Sequence, residues 1–133
     1  MSAWQGVICQ IAVRNSMGVV FKMPILPVAC LAEALARLQR QFQTLIVTAD
    51  PHGASTIHDV KLTGNVCIVL GNEDAGVSVE IAALANRHAA IPMRNRTDSL
   101  NVASASAVFL YEADRQRAKA QPKLNLNAKT QRL

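Results

Sequence analysis

The segment Asn65–Glu80, NVCIVLGNEDAGVSVE, constrains the fold more than any other part of the chain. Its opening run, Val66, Cys67, Ile68, Val69 and Leu70, is too short for an ordinary helix and rich in β-branched residues. A strand buried on both faces of a parallel sheet needs such an uninterrupted apolar run, because neither face meets water. Gly71 stops the run, a short polar stretch follows, and a second glycine arrives at Gly76. Ser78 then stands where a helix N-cap belongs. Strand, glycine-bounded loop and helix start, in that order, are how open α/β sheets build a ligand crevice beyond the carboxyl end of a strand.

The chemistry of the loop narrows its ligand. Gly71 and Gly76 have the spacing of a phosphate-binding P-loop, but Val77 occupies the position where that motif requires lysine. Glu73 and Asp74 would repel a triphosphate, and the dinucleotide fingerprint G-x-G-x-x-G is absent. A glycine-flanked acidic loop suits a ligand that is neutral or cationic where the two meet. A tight surface turn carrying two solvated acids is the competing reading of this segment alone.

The rest of the chain alternates helix and strand. Trp4, Val7, Ile8 and Ile11 have helical spacing, which predicts a first helix over residues 4–15, interrupted at Ser16-Met17-Gly18. Val19–Leu26 reads as a strand closed by Pro24 and Pro27, and residues 29–42 as a helix with Leu31, Ala34, Leu35, Leu38 and Phe42 inward. Leu45–Thr48 is a short buried strand, and Asp50-Pro51-His52-Gly53 a turn. Ser55–Leu62 is ambiguous, with a short extended segment followed by a turn at Gly64 as one reading. A helix over roughly 78–87 and a strand over His88–Pro92 follow the central segment. Ser99 is expected to cap a last helix, about 100–118, with Val102, Ala105, Ser106, Phe109 and Leu110 facing inward. From Gln121 the chain turns polar and basic, and residues 121–133 are expected to be a tail without fixed structure. This alternation predicts an α/β fold, a mostly parallel sheet with helices on both faces, formed by residues 1–120 as one domain.

Composition points to a globular chain and permits an anionic partner, although much of the excess charge lies in Arg115, Arg117, Lys119, Lys123, Lys129 and Arg132, toward the tail. Half the residues are apolar, which excludes disorder over most of the length. The net charge of +5 and pI near 9.6 permit RNA, although the one Trp, one Tyr and three Phe argue against a surface of stacked rings. Cys9, Cys30 and Cys67 are widely spaced among apolar neighbours and match no metal or disulfide pattern, which predicts buried reduced thiols, no metal and a cytoplasmic protein. No run is long enough to cross a bilayer and the N-terminus lacks signal-peptide features, so no membrane partner is expected.

The second informative stretch is Ile91–Ala113, IPMRNRTDSLNVASASAVFLYEA. A strand ends at Ile91-Pro92-Met93, a basic loop carries Arg94 and Arg96, and Ser99-Leu100-Asn101-Val102 opens a helix of small residues. A capped helix packed tightly on a sheet accounts for Ser99 and the alanines, but not for Asn101 or the paired arginines. Together, Leu70-Gly71-Asn72-Glu73-Asp74-Ala75-Gly76-Val77-Ser78 and the Ile-Pro-Met…Ser-Leu-Asn-Val string closely resemble motifs 2 and 3 of the SpoU/TrmH-type RNA ribose methyltransferases of the SPOUT class. The resemblance extends over roughly residues 5–117.

That resemblance implies a SPOUT-type fold with a C-terminal trefoil knot, S-adenosylmethionine (AdoMet) as cofactor, a homodimer, and methyl transfer to ribose 2′-hydroxyls of tRNA or rRNA. It implies a cofactor pocket of Leu70, Gly71, Asn72, Gly76, Ile91, Met93 and Leu100. It places Ser99, Asn101 and Glu73 at the reaction, with Glu73 ordering its loop or acting as a base, and Arg94 and Arg96 on RNA phosphates. The family's first motif, an asparagine, a glycine two residues on and an arginine four beyond that, is not found. Arg14 and Asn15 are adjacent, in the reverse order, and abut Ser16. The chain is therefore expected to begin after that motif. Three readings stay open: an AdoMet-dependent RNA methyltransferase, whole or partial; as the alternative, a catalytically silent AdoMet- or RNA-binding module of the same fold; and a truncated gene product with no function of its own.

Overall fold

The computed structural model of the chain describes residues 10–72, 74–94 and 100–121. The chain forms two compact units, residues 1–31 and 32–133.

In the first unit, α1 (Gln10–Asn15) ends where Met17 and Gly18 take positive φ, 51° and 82°. Ser16 Oγ donates to Val13 O at 3.2 Å and accepts from Val20 N at 3.4 Å, and the chain then makes a 3-10 turn over Val19–Lys22. The strand expected over Val19–Leu26 does not form. Val19 and Val20 have strand propensity, but propensity needs a ladder partner. Here the left-handed Gly18 and the Ser16 side chain instead direct the chain into i→i+3 bonds, and Phe21, Met23 and Leu26 stay exposed. Cys30 is also exposed, contrary to the expectation of a buried thiol, because it lies ahead of the next helix rather than on a packed face. Cys67 is half-buried and its thiol pKa is raised by desolvation; Cys9 lies outside the described residues.

The second unit is a four-stranded sheet in the order β2-β4-β1-β3, with every pairing parallel. Its strands are β1 (Leu45–Ala49), β2 (Ser55–Thr56), β3 (Val66–Val69) and β4 (Arg87–Ala90), and its helices are α2 (Leu31–Phe42), α3 (Val79–Leu84) and α4 (Val102–Ala120). The ambiguous segment after the Asp50 turn thus supplies the two-residue edge strand. Side chains alternate across a strand, so β1 feeds two cores. Ile46 packs with Leu35 of α2, Val69 and Ile81 of α3, while Val47 packs on the other face with Ile57, Leu62, Ala89 and Phe109 of α4. Leu35, Ile46, Ile57, Leu62 and Phe109 are fully buried, and burial of such side chains contributes roughly 1.5–3 kcal/mol each. The ends of α2 are less covered than its spacing predicts: Leu31 and Phe42 are 45% and 57% exposed. Asn86 lengthens the central ladder, its Oδ1 accepting from Ile46 N at 2.8 Å while its backbone N donates to Ile46 O at 2.8 Å.

α4 is fastened at its far end. Glu112, 4% exposed, accepts from Arg115 Nε and Nη2 at 2.7 and 2.6 Å and from Gln116 Nε2 at 2.9 Å. Gln116 then clasps the segment before β3, donating to Val60 O at 3.0 Å and accepting from Leu62 N at 2.8 Å. Leu110, expected inward, is 62% exposed, because the inward stripe continues through Phe109, Glu112 and Ala113. A polar residue on that stripe hides it from a reading based on apolar spacing.

The Arg115 hydrogen bonds outweigh the desolvation of Glu112 and hold its carboxyl at about 2, below the ordinary 4.5. A carboxylate with a folded pKa below its unfolded value stabilises the fold above the unfolded pKa, and that contribution is lost as pH falls through the folded pKa. Urea unfolding of the wild type between pH 5 and pH 2 is therefore expected to lose stability across about 4.5 to about 2. Glu112→Gln, less stable at neutral pH, should fall by visibly less over the same window.

Candidate functional site

Parallel strands place their carboxyl ends on one side of the sheet, and there the loops after β1, β3 and β4 meet the start of α4. They enclose a cavity of about 610 Å³.

The β3 loop is the tightest wall. Asn72 and Gly76 exchange backbone hydrogen bonds, N to O at 3.0 Å and N to O at 2.8 Å in return, closing a small ring. Asn72 Oδ1 fills that ring, accepting from Asp74 N at 2.8 Å and Ala75 N at 3.3 Å. Gly76 completes the turn at a φ of 66°. Gly71 allows the ring to fold back on the strand: a Cβ there would overlap the backbone carbon of Gly76 and stand 2.5 Å from Val77 N and 2.6 Å from Gly76 O. Ser78 caps α3 as expected, its Oγ accepting from Ile81 N at 3.4 Å.

The β1 loop forms a second wall. Asp50 N donates to Ala89 O at 3.0 Å, Asp50 Oδ1 accepts from His52 N at 2.9 Å, and Gly53 N donates to Asp50 O at 3.0 Å. A Cβ at Gly53 would lie 2.5 Å from His88 O, so only glycine lets this turn lie against β4. The third wall is the β4 loop, Ile91 to Met93, and the fourth is the first turns of α4, with Phe109 lining the cavity from below them.

All seven residues read as cofactor-binding line this one cavity: Leu70, Gly71, Asn72 and Gly76 from one loop, Ile91 and Met93 from another, and Leu100 ahead of α4. Asn101 lines it too, but its Oδ1 accepts from Ser104 N at 2.8 Å, making it the N-cap of α4 in place of the expected Ser99. Helix geometry explains the change, since α4 starts at Val102 rather than at 100. Ser99, Glu73 and Arg96 lie outside the described residues. Arg94 is exposed and is not among the lining residues. Sequence reasoning missed Ala49, Asp50 and Pro51, which also line the cavity. Their signal was available: an Asp-Pro turn directly after a buried strand occupies the same place as the other two loops.

No Lys, Arg or His is among the described lining residues, and no His, Cys, Asp and Glu cluster among the described residues could hold a metal. A phosphate would find no charged donor among these described residues. Apolar walls, backbone amides and carbonyls, and one carboxylate suit a ligand with an apolar or aromatic body and a cationic or neutral polar end.

The SpoU rRNA Methylase family model matches residues 6–111. A tRNA (guanosine(18)-2'-O)-methyltransferase from Escherichia coli is 38% identical over 90 residues, covering 68% of this chain and 39% of the relative. A 23S rRNA (uridine(2479)-2'-O)-methyltransferase from Streptomyces viridochromogenes is 34% identical over 110 residues, covering 80% of this chain and 38% of the relative. The crystal structure of the SpoU methyltransferase AviRb from Streptomyces viridochromogenes, in complex with AdoMet, superposes with a TM-score of 0.76 at 31% identity. That match covers 84% of this chain and 46% of the other. The chain thus spans less than half the length of each of these relatives.

Proposed function

The chain belongs to the SpoU rRNA methylase family, and from that premise we propose that it binds AdoMet in the cavity at the carboxyl ends of its strands and methylates a ribose 2′-hydroxyl of tRNA or rRNA. The observation that carries this reading is the convergence of Leu70, Gly71, Ile91, Met93 and Leu100, from separate segments, on a cavity whose one charged group among the described lining residues is the Asp50 carboxylate. The Asp50 carboxylate disfavours a phosphate nearby and is compatible with the sulfonium of AdoMet. When bound, AdoMet supplies an electrophilic sulfonium methyl, which passes to the ribose oxygen as that oxygen loses its proton and the sulfonium becomes a thioether.

The chain's own residues bind and orient. The turn closed between Asn72 and Gly76 presents backbone groups held by Asn72 Oδ1, so this wall is formed before any ligand arrives. Asn101 fixes the first turn of α4 beside the same cavity, a positioning task compatible with its amide nitrogen reaching a ribose. Ser99 and Glu73 belong to the reacting group in this reading, and Arg94 and Arg96 to RNA phosphates; the exposure of Arg94 next to Met93 supports that placement. The family's trefoil knot, a cytoplasmic location and a homodimer with α4 at its interface are parts of the same reading. The last is supported by the exposure of Leu110 and Tyr111, 62% and 70%, on one helix.

The test is incubation with AdoMet labelled in its methyl group and bulk tRNA and rRNA, followed by digestion to nucleosides. The expected result is label in 2′-O-methylnucleosides. AdoMet binding with no transfer would reject the enzyme and leave a silent binding module.

A further inference from the structure

The cavity has one ionisable side chain among its described lining residues, Asp50. The other polar side chains there are Asn72 and Asn101, whose oxygens already accept from backbone amides. Asp50 is held in place by its own turn: its amide is bound to Ala89 O, its Oδ1 accepts from His52 N, and its carbonyl accepts from Gly53 N. The ion pairs found among the described residues both belong to Glu112, so no described cation neutralises Asp50. A negatively charged residue held by its own turn thus lines a space whose other described lining residues are neutral.

We infer that Asp50 is a specificity-determining residue of this cavity, favouring a ligand that carries a positive charge over the same ligand without it. The inference rests on the AdoMet reading above. AdoMet bears a sulfonium and a net positive charge at neutral pH. S-adenosylhomocysteine, left after methyl transfer, has a neutral thioether and no net charge. A carboxylate near the sulfur attracts the sulfonium of the first and meets no charge at that atom in the second, and discrimination is the difference between the two affinities. Asp50 thereby opposes occupation of the site by spent cofactor. A turn-forming role alone would support all ligands equally.

Asp50→Asn separates the two roles, because an asparagine oxygen can still accept from His52 N while the charge is gone. Calorimetric titration of the full chain would use AdoMet, S-adenosylhomocysteine and sinefungin, which carries an amine in place of the sulfonium methyl. In D50N, AdoMet and sinefungin are expected to bind about tenfold more weakly and S-adenosylhomocysteine to change by less than about twofold, the size of one screened charge interaction. Asp50→Glu should keep the preference for the two cations even where overall affinity drops. Equal weakening of all three ligands in D50N, or no change in any, overturns the role of the charge while leaving the AdoMet reading intact. Failure of AdoMet to bind the wild type overturns that reading and this inference together.

Discussion

Gly71→Ala is expected to abolish measurable AdoMet binding and to lower the stability of the fold by on the order of 2–3 kcal/mol, the cost of overpacking against atoms that cannot move aside. The added methyl meets the backbone of Gly76 and Val77 rather than a flexible side chain. To make room, the ring closed by Asn72 and Gly76 has to open or move off the strand, and with it goes one wall of the cavity. Gly64→Ala is the control. A Cβ there meets nothing within 4 Å, so its effect is expected to stay within about 0.5 kcal/mol, with binding unchanged. Thermal unfolding and titration of the two variants side by side check both halves of this expectation.

Phe109→Ala is expected to cost about 3–5 kcal/mol, the range for emptying an aromatic site in a packed core. Phe109 is 1% exposed and belongs to the core under β1 and β4, with Val47, Leu62 and Ala89, while also lining the cavity. Domain stabilities run to about 5–15 kcal/mol, so this single change removes a large share. The loss should appear in the urea midpoint with an unchanged slope. AdoMet should bind the folded variant more weakly, since the space left behind joins the cavity and loosens the start of α4. Phe109→Leu, which refills most of the volume, should recover most of both losses.

The strand-loop-helix reading of residues 66–84 and the parallel α/β architecture were legible in the sequence because each rests on local chemistry. Val66–Val69 is apolar on both faces, although as an edge strand β3 buries only Val69 instead of its whole run, and Ser78 caps. The seven residues read as cofactor-binding sit in the loops after β3 and β4 or just ahead of α4, on the side where a parallel sheet places its strand ends. What escaped depends on partners far along the chain. Val19–Leu26 looks like a strand by composition, yet without a ladder it follows Gly18 into a 3-10 turn. Leu110 looks like a core residue until Glu112 is found buried with Arg115 and Gln116, which shifts the inward stripe. Asp50 looked like part of an ordinary turn because its importance comes from β4, against which Gly53 lets the turn settle. The Ser99 cap moved to Asn101 for a smaller reason: both residues are good caps, and which one serves depends on where the helix begins.

The account stands on one claim, that the loops after β1, β3 and β4 hold AdoMet between them. A crystal structure of the chain grown with saturating AdoMet tests it most directly. The account predicts the cofactor in this cavity, with backbone groups of the Gly71 and Ile91 loops within hydrogen-bond distance and the cationic end toward Asp50. Cofactor bound elsewhere on the chain, or an empty cavity at saturating concentration, would contradict it.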